Sequence, residues 1–184
     1  TGVQTCALPI SIAVVHLAGW PAEMIEICKL AKRYNLKILE DCSQAHGAKV
    51  NGRSVGSFGD VATWSFCQDK IISTGGEGGM VTTNSKVISE KLFSIKDHGK
   101  TRKAINLSKN KIGYKWLHDK IGNNFRLTEL QSQIGLIQLN KIDEWNKLRN
   151  RNALILKKIL GQLKVVNIPW PKSNINHAFY KFYL

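Results

Sequence analysis

Residues 65–79 read S-F-C-Q-D-K-I-I-S-T-G-G-E-G-G, and Lys70 stands in them just past an apolar stretch. That stretch, Val61-Ala62-Thr63-Trp64-Ser65, is rich in the β-branched and aromatic residues that favour strands. Four glycines surround Glu77 before Val81-Thr82-Thr83. Such a turn lets the backbone approach a ligand closely and reach φ > 0 at little steric cost. A lysine there suits covalent work on a carbonyl, because desolvation or a cationic neighbour can lower its pKa and free the amine. Taken by itself, the same lysine reads as a solvated loop residue. G-G-E-G-G is neither a Walker A loop nor a G-x-G-x-x-G opening a helix, so the phosphate-loop motifs do not apply.

A second stretch changes that balance. Residues 40–48 read E-D-C-S-Q-A-H-G-A and follow the apolar strand of residues 36–39, which places Asp41 at a strand's end. Ligands of open α/β sheets gather at the carboxyl ends of strands. A carboxylate and a lysine arriving there from different strands is what pyridoxal phosphate requires. The lysine forms the Schiff base, and the acid keeps the pyridine nitrogen protonated so that the ring acts as an electron sink.

These two blocks, with Asp41 and Lys70 29 positions apart, resemble the sugar aminotransferases of the DegT/DnrJ/StrS type, which are fold-type I pyridoxal phosphate enzymes. A third block, G-N-N-F-R-L-T-E-L-Q-S-Q-I-G-L-I-Q-L over residues 122–139, resembles that family's G-x-N-x-R-x-T-E-x-Q-x-x-I-G segment. The resemblance implies an α/β fold: part of the large, mixed but mainly parallel sheet domain, with the start of a small C-terminal α+β domain. It implies Lys70 as the catalytic, cofactor-bearing lysine and Asp41 at the pyridine nitrogen. It also implies Gln44 at the ring's phenolic oxygen and Ser65 and Asn124 at phosphate. The asparagine matched by Asn124 reaches the neighbouring subunit's cofactor, so a homodimer with shared active sites is expected. The implied reaction moves an amino group, a glutamate's in the family's usual pattern, to a keto-sugar nucleotide.

Two departures bear on that reading. Cys67-Gln68-Asp69 replaces the proline-bearing form S-F-x-P-x-K, which leaves the lysine in register but alters loop rigidity. Relatives with histidine in place of the lysine perform dehydration; Lys70 disfavours that variant. A dehydratase on the same scaffold and a basic binding protein with vestigial cofactor motifs stand as the alternatives.

Bulk composition agrees with a folded chain. At 184 residues and 43% hydrophobic content, a substantial core is available. There is no run of about 18 apolar residues and no secretory signal pattern, so a cytoplasmic protein without a membrane partner is expected. Cys6, Cys28, Cys42 and Cys67 lack C-x-x-C spacing or a zinc pattern, which reads as reduced thiols and no metal. The net charge is +14, and eighteen Lys/Arg face six Asp/Glu between Lys86 and Lys164. They are interspersed in helical segments without an aromatic platform or zinc-finger framework, so nucleic acid is not the expected partner. An anionic nucleotide-diphosphate substrate, or a lysine-rich host, accounts for the charge equally well.

The remaining segments are read for what must position these residues. Residues 1–11 resemble translated sequencing-adaptor sequence and read as a non-native leader, or else as a genuine flexible one. Residues 12–125 form part of the large cofactor domain. Within it come a strand at 12–16, a helix at about 22–35 ended by Asn35, and the strand before Asp41, a β-α-β unit with parallel strands. His16 is either ligand-facing or, more simply, a satisfied strand-end histidine, and His46 serves either the site or its loop. Asn51-Gly52 signals a tight turn, Asp60 precedes the strand that leads to Lys70 and serves the backbone there, and residues 84–99 read as a helix. The basic segment 100–120 reads as a surface excursion, solvated or touching substrate phosphates. Residues 126–161 form a long helical region with Thr128 and Gln131 as its capping box and a break before Asp143. Val165-Val166 and residues 177–184 read as strands of the small domain, 162–184. Family members are about twice as long, so the chain is expected to be an internal fragment. Their upstream phosphate-binding loop and ring-stacking aromatic are not among these residues.

Overall fold

The computed structural model describes residues 8–109, 112–113 and 117–184. Four strands make its main sheet: β1 (Ser11–Val15), β2 (Lys37–Asp41), β5 (Val61–Ser65) and β6 (Gly79–Thr82), in the order β1-β2-β5-β6. β1, β2 and β5 run parallel, with Val15 opposite Asp41 and Asp41 opposite Thr63. β6 returns antiparallel along β5, pairing Ser65 with Gly79. The sheet is therefore mixed, as expected. Ser11, assigned above to the leader, opens β1 and pairs with Lys37; residues 1–7, with Cys6, lie outside the described residues.

Helix α1 (Met24–Arg33) supplies the crossover between β1 and β2. Met24, Ile27 and Ala31 recur at helical spacing and pack with Ile12, Val14 and Ile38, because alternate strand residues share one face of the sheet. Asn35 ends the helix with φ 53, a left-handed conformation that asparagine tolerates. Asp60 bridges strands: its Oδ2 accepts from Ile38 N at 2.9 Å and its Oδ1 from Lys37 Nζ at 3.0 Å. It thus serves the neighbouring strand's backbone.

A small sheet flanks the main one. β3 (Lys49–Val50) and β4 (Arg53–Ser54) form a hairpin across Asn51 and Gly52, whose φ values of 50 and 76 are those of a primed two-residue turn. Its third strand is β7 (Ile175–Asn176), which pairs with β3. This corrects the strands expected at the C-terminal end. Val165-Val166 and residues 177–184 are not strands, although the aromatic alternation reads that way. Ala178 and Tyr180 instead pack on the cluster of Cys42, Ala45, Ala48, Val55, Ala62 and Ile71, and tertiary burial overrides the strand pattern.

Helix α2 (Lys86–Lys96) is capped by Ser85, whose Oγ accepts from Ile88 N at 3.3 Å. The segment read as a surface excursion contains a helix, α3 (Arg102–Ser108), capped by Thr101 and tied to α2 by Arg102–Glu90 at 2.8 Å. Residues 110–111 and 114–116 of that segment lie outside the described residues. The long helical region divides into α4 (Glu129–Leu139) and α5 (Ile142–Leu160), broken at Asn140-Lys141. Thr128 and Gln131 form the expected capping box on α4. α5 docks through Asn146, whose Nδ2 donates to the His46 carbonyl at 3.1 Å. Gly47 permits that approach: its φ is +80 and a Cβ there would strike the Asn146 amide. No described helix is long and apolar enough to cross a membrane.

Candidate active site

Asp41 and Ser65 are the last residues of two adjacent parallel strands, β2 and β5, and so lie at the same edge of the sheet. The chain leaving β2 supplies Gln44 and His46; the chain leaving β5 supplies Lys70. Asp41 Oδ1 accepts from Ser43 N at 3.0 Å. Gln44 Oε1 accepts from Ala18 N at 2.7 Å, which orients the amide so that its NH2 is the group left to donate. Ala18 sits in a short 3-10 turn after β1 with φ 59, held there by its neighbours. Ser65 Oγ accepts from Cys67 N at 3.4 Å. The glycine-rich turn closes on β5 through Phe66 N to Gly78 O at 2.8 Å and Thr74 N to Phe66 O at 3.1 Å.

Lys70 is largely enclosed, with its side chain 15% exposed. Its Nζ lies 3.3 Å from Asp69 Oδ1 and donates to Tyr180 Oη at 3.5 Å. Burial works against its charge, but the hydrogen bonds to Asp69 and Tyr180 outweigh burial and raise its pKa above that of an ordinary lysine. In the protein alone the amine is therefore held as ammonium. The lowered pKa expected of it is not found, because its near neighbour is a carboxylate and not a cation. Asn124 stands apart on the stretch before α4, exposed and bridged to Asp97, with Oδ1 accepting from Arg126 Nε at 2.9 Å.

Glu40, next to Asp41, faces the opposite way and is fully buried. Its Oε2 accepts from His16 Nε2 at 3.0 Å and Gly56 N at 2.7 Å; its Oε1 accepts from Phe58 N at 2.7 Å and Gly59 N at 2.6 Å. Desolvation pushes its pKa up, yet these bonds, led by His16, prevail and hold it below the usual carboxylate value. His16 Nδ1 accepts from Ala22 N at 3.0 Å, which fixes the ring proton on Nε2. His16 is thus a satisfied strand-end residue. Cys42 lies near this pair, with ligand atoms of all three within 4.8 Å. The trio does not suit a metal. Both His16 nitrogens and both Glu40 oxygens are committed, and burial, then the Glu40 and Asp41 charges, push the Cys42 thiol up and keep it protonated. Neither this clamp nor the Asp69–Tyr180 pair on Lys70 was legible beforehand. A buried glutamate followed by a loop carrying Gly56 and Gly59 is the one signal that could have revealed the first.

His46 is buried between Trp64 and Phe66, with ring centroids 5.4 and 5.9 Å away. Neither ring nitrogen is within hydrogen-bond geometry of a described partner. It lines a cavity of about 520 Å³ with Val55, Ile72, Met80, Leu136 and Ile142. Desolvation lowers its pKa to about 4. Burial likewise lowers His177 to about 4, where Nδ1 accepts from Phe179 N at 2.7 Å. Both histidines are neutral when folded and ordinary when unfolded, so the unfolded chain binds more protons between about pH 6.5 and 4. Stability is expected to be complete above pH 6.5 and to fall as pH drops toward 4, by on the order of 2–3 kcal/mol per histidine. Urea titrations at pH 7 and pH 4.5 measure this, and His46→Phe should flatten the profile by one proton.

The donor set fits pyridoxal phosphate. An enclosed amine, a carboxylate and a hydroxyl stand at one sheet edge, beside an amide whose acceptor is already occupied. A model of the DegT/DnrJ/EryC1/StrS aminotransferase family matches residues 9–184. Over 170 residues the chain is 36% identical to GDP-perosamine synthase of Escherichia coli O157:H7, covering 92% of this chain and 43% of that protein. It is 42% identical over 143 residues to dTDP-3-amino-3,6-dideoxy-alpha-D-galactopyranose transaminase of Aneurinibacillus thermoaerophilus, covering 78% and 36%. The crystallographic aminotransferase from Psychrobacter cryohalolentis superposes with a TM-score of 0.86 at 44% identity, over 92% of this chain and 45% of that one. The chain thus spans less than half the length of the relatives it matches. The mixed sheet is that of fold-type I pyridoxal phosphate aminotransferases, and the chain belongs to the DegT/DnrJ/EryC1/StrS aminotransferase family.

Proposed function

We propose that the full-length protein is a pyridoxal phosphate-dependent aminotransferase that transfers an amino group from glutamate to a keto-sugar nucleotide. The observation that carries this reading is that Asp41 and Ser65 end two adjacent parallel strands, with Gln44 and Lys70 on the chain leaving each. The names of the two curated relatives, one a GDP-sugar synthase and one a dTDP-sugar transaminase, support a nucleotide-sugar substrate. When bound, the cofactor supplies an electron sink for the carbon that loses its proton.

The chain's own residues divide the remaining work. Lys70 Nζ would hold the cofactor and, as a free amine, would move a proton at the substrate carbon. Asp41 holds the proton on the pyridine nitrogen. The Gln44 NH2 orients the ring through its phenolic oxygen, and the Ser65 hydroxyl donates to phosphate. Asn124 is exposed and, in this reading, reaches the phosphate of the neighbouring subunit in a cytoplasmic homodimer. Residues 12–125 belong to the large domain, 126–161 connect, and 162–184 open the small domain, which rests on the large one through Ala178 and Tyr180.

The test is borohydride reduction of the cofactor-loaded full-length protein, followed by peptide mapping, together with absorbance before and after glutamate. Cofactor fixed on Lys70 and a band that glutamate converts to the amine form are expected. Reduction that marks another lysine would sink the assignment, and a band that glutamate leaves unmoved would point to another donor or to dehydration.

A further inference from the structure

We propose that Tyr180 is a positioning residue for Lys70, its hydroxyl docking the amine beside Asp69 whenever that amine is not bonded to the cofactor. The proposal rests on Lys70 being the cofactor-bearing lysine. Tyr180 Oη donates to Asp69 Oδ2 at 2.7 Å and accepts from Lys70 Nζ at 3.5 Å, while Nζ lies 3.3 Å from Asp69 Oδ1. The ammonium also lies 5.2 Å from the Tyr180 ring centroid, within reach of the ring's negative face. Cys67 Sγ donates to Asp69 Oδ1 at 2.7 Å, so both carboxylate oxygens are engaged and the exposed Asp69 is held in one orientation.

The backbone places Tyr180 there by specific bonds. Ala178 N donates to Gly19 O at 2.9 Å and Lys181 N to Ala18 O at 3.1 Å. From α5, Arg149 Nη1 donates to Phe179 O at 3.4 Å and Asn150 Nδ2 to His177 O at 3.0 Å. Phe179 is held at φ 46, a conformation a bulky residue keeps only when its surroundings impose it. The 3-10 turn that receives these bonds is the one whose Ala18 N orients Gln44. One turn therefore sets both the amide that faces the ring and the phenol that faces the lysine.

The chemistry follows from the partners. An unheld lysine amine samples many rotamers, whereas this one meets an acceptor hydroxyl and a carboxylate in fixed positions. Both partners favour the ammonium over the amine, consistent with the upward shift of Lys70.

The experiment uses full-length protein stripped of cofactor, with the pH profile of Lys70 acetylation by acetic anhydride read by peptide mass spectrometry. Tyr180→Phe keeps the ring and removes the hydroxyl. Its Lys70 profile is expected to move to lower pH, seen as several-fold faster labelling below the midpoint, with an unchanged melting temperature and unchanged Lys49 labelling. An unmoved Lys70 profile overturns the proposal. Should Tyr180→Phe fail to fold, the phenol titration of Tyr180 in Lys70→Ala decides. Loss of the neighbouring ammonium should raise the phenol's midpoint beyond its already raised value, and an unmoved midpoint overturns the dock. Borohydride trapping on the loaded wild-type protein, run in parallel, judges the cofactor reading separately, since its failure leaves the labelling shift intact.

Discussion

Lys70→Ala in the full-length protein is expected to abolish covalent attachment of the cofactor and to cut turnover by about 10²–10⁴-fold through loss of the proton-transfer group alone. The change should leave the fold intact. Lys70 follows β5 on a loop whose own closure depends on Phe66, Thr74 and Gly78 backbone groups and not on the lysine side chain. It removes the amine from the Asp69–Tyr180 pair, and the Tyr180–Asp69 bond at 2.7 Å remains to hold that corner together. Single-turnover conversion of glutamate, compared with noncovalent cofactor uptake by equilibrium dialysis, separates the two roles. Uptake should persist through Asp41, Gln44 and Ser65 while conversion collapses. Conversion within tenfold of wild type would mean that another group moves the proton.

Glu40→Ala is expected to be the most damaging single change to stability. It strands three backbone N–H donors, of Gly56, Phe58 and Gly59, together with the His16 Nε2–H, all around a carboxylate with no exposure. Each buried donor left unpaired costs roughly 1–3 kcal/mol, so the sum is at least about 4 kcal/mol and rivals the net stability of a domain. Glu40→Gln should cost less. Its carbonyl still serves two donors, but its NH2 then faces the other two, and His16 cannot turn acceptor at Nε2 because Nδ1 already accepts from Ala22 N. Urea midpoints of the two variants give the order. A loss below about 1 kcal/mol for alanine would mean that water replaces the carboxylate. The consequence reaches the site, since Glu40 clamps the strand whose next residue is Asp41.

Much of this was open to reading in the sequence because the relevant physics is local. Strand periodicity placed β1, β2 and β5 to within a residue or two. Asn51-Gly52 carried its hairpin because both positions need positive φ. The Thr128/Gln131 pair marked the start of α4 because a helix start needs acceptors three residues apart. The order of the blocks around Asp41 and Lys70 carried the family and the chemistry to expect.

Tertiary structure decided what depends on distant partners. His46 lies in a loop that gave no preference between site and scaffold; packing on Trp64 and Phe66 made it a buried, neutral ring. The aromatic alternation of residues 177–184 is the pattern of a strand, but a strand also needs an edge to pair with. Here the backbone bonds to Gly19 and Ala18 instead, and delivers Tyr180 to a lysine 110 residues away in sequence. The amine's protonation was settled in the same manner. Sequence alone named the lysine as the reactive group, whereas its pKa follows from a field that falls off over a few ångströms, and only the folded chain puts Asp69 and Tyr180 within that range.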